Sequence, residues 1–276
     1  MSMPKVDIVI PIHNIPLAQL ADCLTSVENQ SFQDWVVWVV ESSESSKDGE
    51  AEYLLEGSDD RFHYLVQSEI GVSNARNEGV KSGSAPLVAF LDGDDTWNSD
   101  YLEQMVASMD SRPVQGVWGV CYSPISFHSP LKGGKQNGKL VWSPYDSIER
   151  FAPTQFYYYF MVKAIYPSSL MVSRPAFEQI GGFDEEVLSC EDTDFVMRLA
   201  MSCALCHVPS ALVKRTTSVE STKTNYEVEK WTGWLIDAYP WPTLDSKPDG
   251  FDEGWWEWMV DYITLGNHKP AEVVLE

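Results

Sequence analysis

The sequence predicts an α/β fold: a mostly parallel sheet flanked by helices, followed by an aromatic-rich helical C-terminal extension. Three observations predict it. Short apolar runs rich in β-branched residues recur at 6–10, 35–40, 62–66 and 87–91. Stretches with helical spacing of apolar residues separate several of them, and strand–helix alternation of this kind builds right-handed βαβ units. Six of the eleven tryptophans fall after residue 230, namely Trp231, Trp234, Trp241, Trp255, Trp256 and Trp258.

Each element follows from its local pattern. Residues 6–10 form a short strand ahead of Pro11. Leu17, Leu20, Leu24 and Val27 recur at helical spacing, giving an amphipathic helix. Residues 35–40 are apolar without interruption, as expected of a strand covered on both faces of a parallel sheet. Residues 62–66 form a further strand. Ser73 is expected to cap a helix that runs to about Lys81. Residues 87–91 make a buried strand that ends at Asp92, and Asn98 or Ser99 caps a helix with Leu102, Met105, Val106 and Met109 inward. In such a sheet ligands sit beyond the carboxyl ends of the strands. The loops that begin at Pro11, Glu41 and Asp92 are therefore the ones to watch.

Beyond Met109 the rhythm changes. Residues 117–122 and 168–172 read as strands, 174–180 as a helix, and Phe195, Val196, Leu199 and Ala200 as the inner face of a helix starting near Glu191. Gly133, Gly134 and Asn137-Gly138 mark a hairpin or loop whose Lys132, Lys135 and Lys139 are the most basic patch of the chain. It is either a solvated tip or a loop that closes over a substrate. Two helical patterns follow, one through Val228, Trp231, Leu235 and Ala238, the other through Trp255, Trp258, Met259 and Tyr262.

The 276 residues carry 44% hydrophobic and 22% charged side chains, which excludes a disordered or low-complexity chain. Nineteen basic residues face 41 acidic ones, and the net charge of −22 argues against a nucleic-acid partner. An anionic substrate here calls for a metal ion or a few well-placed cations. No apolar run approaches the ~20 residues that span a bilayer, so no transmembrane segment is expected. Five cysteines and no apparent leader lead to the expectation of reduced thiols in a cytoplasmic protein.

Chemistry concentrates at Phe90-Leu91-Asp92-Gly93-Asp94-Asp95. In extended backbone residues i and i+2 point the same way, so the Asp92 and Asp94 carboxylates can converge. Two hard oxygen ligands suit Mg2+ or Mn2+ bridged to phosphate oxygens, and a solvated turn that caps the next helix is the plainer alternative. An EF-hand reading fails, because Trp97 stands where that loop needs glycine. Cys203-Ala-Leu-Cys206-His207 has the spacing of a haem-attachment or redox motif, but core cysteines account for it better. His13 alone is a loop histidine. No dinucleotide-binding glycine motif, P-loop or nucleophile elbow occurs.

Six segments taken together resemble family 2 glycosyltransferases with the GT-A fold. They are residues 7–14 (DIVIPIHN), 24–32 (LTSVENQSF), 71–79 (GVSNARNEG), 90–97 (FLDGDDTW), 181–185 (GGFDE) and 191–195 (EDTDF). They keep the family's order and cover roughly residues 5–215. The resemblance implies a GT-A domain over 1–215, with a nucleotide-binding half (1–110) and an acceptor-binding half (111–215). Residues 216–276 would be a Trp-rich extension packed on it.

The resemblance also implies roles. Such enzymes move a sugar from a nucleotide-diphosphate donor, most often a UDP-sugar, to a hydroxyl of a glycan or other acceptor, usually with inversion. Pro11, Ile12 and His13 would line the nucleotide pocket, with Glu41 reaching the base or ribose and Arg76 near the nucleotide. Asp94 would hold the metal, and Asp92, beside Gly93, the donor ribose or the metal. Asp192 would be the general base and Glu191 would shape the acceptor site, with helix capping the plainer role for both. Three departures stand out. Glu41-Ser42-Ser43-Glu44 replaces the family's D-D-G-S, Ile15 replaces a glutamate, and Val213-Lys214-Arg215-Thr216-Thr217 lacks the histidine of Y-R-x-H. Lys214 or Arg215 could stand in for that ligand by meeting the diphosphate. These departures motivate an alternative, a catalytically silent GT-A domain acting as a carbohydrate-binding or scaffold module. The tail tryptophans are core, sugar-stacking platforms, or a contact through which the chain forms an oligomer.

Overall fold

A computed structural model describes residues 3–45, 49–110, 120–122, 125–128, 139–141, 165–188, 191–203, 205–208, 210–211 and 213–216. All lie in the first of two compact units, Met1–Trp231. The tip of the basic loop at 131–138 and the tail from residue 217 onward, with its six tryptophans and the oligomer contact expected of them, fall outside the described residues.

Four strands read from the sequence form the parallel half of the main sheet. They are β1 (Val6–Ile12), β2 (Trp35–Glu41), β3 (Phe62–Val66) and β4 (Leu87–Phe90). β1 pairs in parallel with both β2 and β4, and β2 with β3. Strand order therefore reverses at β1, the kind of switch point that opens a crevice at the carboxyl ends. The second small sheet contains β5 (Thr96–Trp97), β7 (Ile125–His128), β8 (Lys139–Val141) and β11 (Val213–Thr216), in the order β5-β11-β7-β8. The main sheet is completed by β6 (Val120–Tyr122), β9 (Leu170–Ser173) and β10 (Leu205–His207). Its order is β10-β6-β9-β4-β1-β2-β3, with β9 antiparallel to both neighbours.

The helices are α1 (Leu17–Glu28), α2 (Glu50–Leu55), α3 (Val72–Ser82), α4 (Tyr101–Asp110), α5 (Arg174–Gln179) and α6 (Glu191–Ser202). Among the described residues no helix is long and apolar enough to cross a membrane. Ile8, Ile10, Val37 and Val39 are fully buried at the sheet centre. Each such side chain contributes on the order of 1.5–3 kcal/mol relative to exposure. Helix α3 lies on β1 and β2 so closely that a Cβ at Gly79 would fall on the Val9 methyl Cγ1.

Several local expectations are corrected. Leu17 is 37% exposed, and Cys23 joins Leu20, Leu24 and Val27 on the buried stripe of α1 instead. Ser73 does not cap α3: the preceding residue is Gly71, whose φ of 119° few other residues adopt, and Ser73 is buried within the helix. Helix α4 starts at Tyr101, past Ser99, and its Leu102 N–H is taken by the side chain of a distant residue, Gln30. Residues 168–172 are not one strand. Pro167–Ser169 forms a 3₁₀ turn, with proline at its first position, and β9 begins only at Leu170.

Candidate active site

The carboxyl end of β4 turns sharply through Asp92, Gly93, Asp94 and Asp95, closed by the Asp95 N–H donating to the Asp92 carbonyl at 2.9 Å. Glycine at 93 has a steric reason: an added Cβ would stand 2.8 Å from Ile12 Cγ2 and 2.7 Å from Ile15 Cδ1. The turn thus lies against the end of β1, where Pro11 and Ile12 are buried and His13 is exposed. Register places Ile12 beside Glu41, and the Ser42 N–H donates to the Ile12 carbonyl at 2.9 Å. Glu41 is buried, and its Oε2 accepts a short hydrogen bond from the Tyr64 hydroxyl. His13 and Asn14 pair through Nε2 and Nδ2 at 3.2 Å, with Asn14 in the left-handed region.

Arg76 joins the two candidate acid pairs. Its Nη2 donates to Asp92 Oδ1 and its Nη1 to Glu191 Oε1, both at 3.0 Å. The guanidinium side chain is only 4% exposed, against 24% for Asp92 and 17% for Glu191, so both ion pairs are shielded from solvent. Burial alone would lower the Arg76 pKa, but the charges of Asp92 and Glu191 outweigh it and the net shift is upward. Burial pushes the Glu191 carboxyl up; Arg76 pulls it back and Asp192 adds to the rise. The Arg76 guanidinium also lies 5.1 Å from the centre of the Phe183 ring.

Asp192 sits in the first turn of α6, half-buried, and its Oδ1 accepts from the Thr193 N–H at 2.7 Å and the Thr193 hydroxyl at 3.3 Å. One chain thus brings Asp92 and Asp94 on a strand end, Arg76 on α3, and Glu191 and Asp192 on α6 into one neighbourhood at the switch point. Lys214 is exposed on β11. The neighbouring Arg215 guanidinium lies 3.7 Å over the Tyr166 ring, and its charge favours the ionised form of Asp95.

Residues 7–181 match the family model for glycosyl transferase family 2. The chain belongs to that family. Among curated relatives it is 26% identical over 201 residues to the glycosyltransferase AglE of Haloferax volcanii, covering 71% of this chain and 62% of that protein. It is 30% identical over 115 residues to the Escherichia coli UDP-Glc:alpha-D-GlcNAc-diphosphoundecaprenol beta-1,3-glucosyltransferase WfgD, covering 41% of this chain and 44% of that one. The chain therefore spans less than two thirds of the length of these relatives. Among solved structures, S. aureus TarS in complex with UDP-GlcNAc superposes with a TM-score of 0.67 at 15% identity, covering 94% of this chain and 71% of TarS. The Pyrobaculum calidifontis mannosyltransferase PcManGT, in complex with GDP-Man and Mn2+, gives 0.60 at 14% identity, covering 96% and 74%. At that identity the likeness establishes the shared GT-A fold.

The glycosyltransferase motifs have visible structural work. Asn77, next to Arg76, donates to the Phe183 carbonyl at 2.9 Å and to Glu185 Oε1 at 2.8 Å, and accepts from the Phe183 N–H at 3.0 Å. That fixes the 181–185 turn on α3. Gly182, at φ 76°, leaves room for this contact, since a Cβ there would come within 2.7 Å of Asn77 Oδ1. Phe183 and Phe195 then stack at 3.8 Å between ring centres, while Arg198 holds Asp194 and donates to the carbonyls of Ile180 and Gly182. In the 24–32 segment, the Ser26 hydroxyl accepts from the Trp97 N–H at 3.2 Å, and Gln30 Nε2 donates to the Asn98 carbonyl at 2.8 Å. Of the C-x-x-C-H run, Cys203 is a buried free thiol pushed up to about 11 by burial. Cys206 and His207 belong to β10, and their side chains are outside the described set.

Two residues near the site escape the sequence reading, Asp95 and Ser168. Asp95 is buried, accepts from the Ser168 hydroxyl at 2.6 Å, and is pushed up to about 8. Burial is the first cause and the charge of Asp92 the next, with Asp94 adding and Ser168 and Arg215 opposing. Below about pH 4 the carboxyl is protonated in both folded and unfolded chains. Between there and about 8 the unfolded chain gives up a proton that the folded chain keeps, so stability falls as pH rises. Above that window the full penalty is in place. In metal-free buffer Asp95→Asn is expected to flatten this slope, as urea titrations at pH 5 and pH 8 would measure; an unchanged slope would show that Asp95 does not carry it.

Proposed function

We propose that the chain is a metal-dependent, inverting glycosyltransferase that moves a sugar from a nucleotide-diphosphate donor, a UDP-sugar in the first instance, to a hydroxyl of a glycan or other acceptor. The observation that carries this reading is Arg76, whose two ion pairs bring Asp92 at the strand end together with Glu191 on α6. A donor site and an acceptor site are useful only at such closeness. WfgD, by its name, uses UDP-Glc, and the TarS and PcManGT structures hold UDP-GlcNAc and GDP-Man, which supports a nucleotide-sugar donor.

The residues fit a divalent cation. Asp92 and Asp94 offer hard oxygen donors, and their charges add to the burial that pushes Asp95 up to about 8. Asp92 and Asp94 would hold Mn2+ or Mg2+; no group of three or more ligating side chains gathers among the described residues. When bound, the ion supplies Lewis-acid stabilisation of the departing diphosphate. The chain's own residues do the rest. Pro11, Ile12, His13 and Glu41 would bound the nucleotide pocket, with Gly93 keeping the Asp92 turn close to it. Arg76 holds Asp92 and Glu191 in place and adds positive charge beside the diphosphate. The Asp192 carboxylate would take the proton from the acceptor hydroxyl as its oxygen bonds to the anomeric carbon. The bond from that carbon to the diphosphate oxygen breaks at the same time, its electron pair leaving on the oxygen. Glu191 would shape the acceptor side.

The deciding experiment is calorimetric titration of UDP, GDP and dTDP with and without Mn2+. Tight binding of one nucleotide that needs Mn2+ and is lost in Asp94→Ala is expected. Binding indifferent to both Mn2+ and Asp94 would overturn the metal site. A silent carbohydrate-binding or scaffold module is the second reading, favoured by one observation, the buried Glu41 carboxylate already bonded to Tyr64. Nucleotide binding without turnover on any acceptor would favour it.

A further inference from the structure

Resting on the metal-dependent reading above, we propose that Ser168 is a positioning residue for the cation site. Its hydroxyl fixes the main chain of Asp92 so that the Asp92 and Asp94 carboxylates can meet one ion. The carboxyl end of β4 leaves a backbone N–H outside the ladder. The last ladder bond on the β1 side is the Leu91 N–H donating to the Val9 carbonyl at 3.0 Å. At the next residue the chain leaves the sheet, and a buried N–H without a partner would cost about 1–3 kcal/mol.

Ser168 takes that N–H. The Asp92 amide donates to Ser168 Oγ at 3.0 Å, and Ser168 Oγ donates in turn to Asp95 Oδ2 at 2.6 Å. One hydroxyl therefore spans both ends of the Asp92–Asp95 turn. The register explains why it is there. β4 and β9 pair as Leu87↔Ser173, Val88↔Val172 and Ala89↔Met171, and continuing that register sets Asp92 opposite Ser168. The backbone no longer pairs at this level, because Pro167–Ser169 has become a 3₁₀ turn. A side-chain oxygen replaces the missing carbonyl.

The hydroxyl itself is held firmly. Ser168 is 0% exposed, and its carbonyl accepts from Trp97 Nε1 at 2.8 Å and from the Tyr101 hydroxyl at 3.4 Å. The next residue's hydroxyl, Ser169 Oγ, donates to the Tyr166 carbonyl at 2.8 Å and locks the 3₁₀ turn. Trp97 and Tyr101 stack at 4.3 Å between ring centres, so the support is rigid. A supporting contact one bond removed from a metal ligand is typically worth about 10- to 100-fold in metal affinity.

The test is the Mn2+ concentration needed for half-maximal binding of UDP, GDP or dTDP, whichever the wild type binds, measured by calorimetry on the full chain. Melting temperature and metal-free nucleotide affinity are recorded alongside. Ser168→Ala is expected to raise the required Mn2+ about 10- to 100-fold, with metal-free nucleotide affinity unchanged. Ser168→Cys keeps the site filled, with a somewhat larger and poorly hydrogen-bonding group. It is expected to shift in the same direction, and decides the matter if the alanine variant does not fold. Variants that melt earlier yet titrate with Mn2+ as the wild type does would overturn the proposal, leaving Ser168 a core hydrogen bond. A wild type whose nucleotide binding ignores Mn2+ would instead overturn the metal reading, and this inference with it.

Discussion

Arg76→Met is expected to cost about 3–5 kcal/mol of folding stability and roughly 100-fold or more in transfer rate. Methionine fills the volume of the side chain but removes the cation between Asp92 and Glu191, which lie 3.0 Å from its two terminal nitrogens. Both carboxylates then face one another at low exposure with nothing between them, and breaking a buried pair on one side is the costly way to break it. Urea unfolding measures the first effect. Adding Glu191→Gln to Arg76→Met removes one of the stranded charges, and part of the stability is expected to return. A strictly additive double variant would mean that the three groups do not act together. Arg76→Lys is expected to fall between, because an ammonium cannot span two carboxylates as a planar guanidinium does.

The second large effect is expected at Asp192. Asp192→Asn should lower transfer roughly 100- to 10,000-fold while leaving nucleotide affinity and melting temperature near those of the parent. Asparagine is the informative change because its carbonyl oxygen can still accept the bonds that Thr193 donates, at 2.7 Å from the N–H and 3.3 Å from the hydroxyl. The first turn of α6 is therefore preserved, and only the ability to take a proton is lost. Single-turnover kinetics with the donor identified by calorimetry separate this from a binding defect. Full activity in Asp192→Asn would remove it as the base; lost stability would point to a helix-terminal role instead.

Much of the fold was legible because burial on both faces of a parallel sheet leaves uninterrupted apolar runs. Residues 6–10 and 35–40 are read as strands and lie in β1 and β2; the edge strand β3 matches 62–66 to the residue although only Phe62 of it is buried. The ordered motifs likewise led to the family, since they name residues whose contacts are specific: Arg76, Asn77, Phe183 and Glu191 touch one another or the same neighbours. What was not legible depends on distant parts of the chain. Gln30 caps α4 from 72 residues away, a contact that no local capping pattern announces. Ser168 looks like strand sequence until Pro167 and the β9 register give its hydroxyl a partner at Asp92. Asp95 could be counted with its acidic neighbours, but its burial and the resulting upward shift exist only once β4, α1 and the 165–169 segment have closed around it.

The antiparallel strand β9 has a consequence for how the molecule comes into being. It fills the place between β4 and β6, so the sheet cannot close until a segment about 80 residues downstream of β4 arrives. The same closure buries Asp7, whose carboxylate meets Arg174 across a sequence separation of 167 residues. Contacts of such range are slow to form, because loop closure must precede any reward from pairing. During synthesis the first 110 residues would emerge with β4 open along one edge and with neither Ser168 nor Glu191 beside Asp92. The candidate site is therefore acquired late and all at once, by the return of the chain, and a nascent amino-terminal half is in need of shelter before it can have any use.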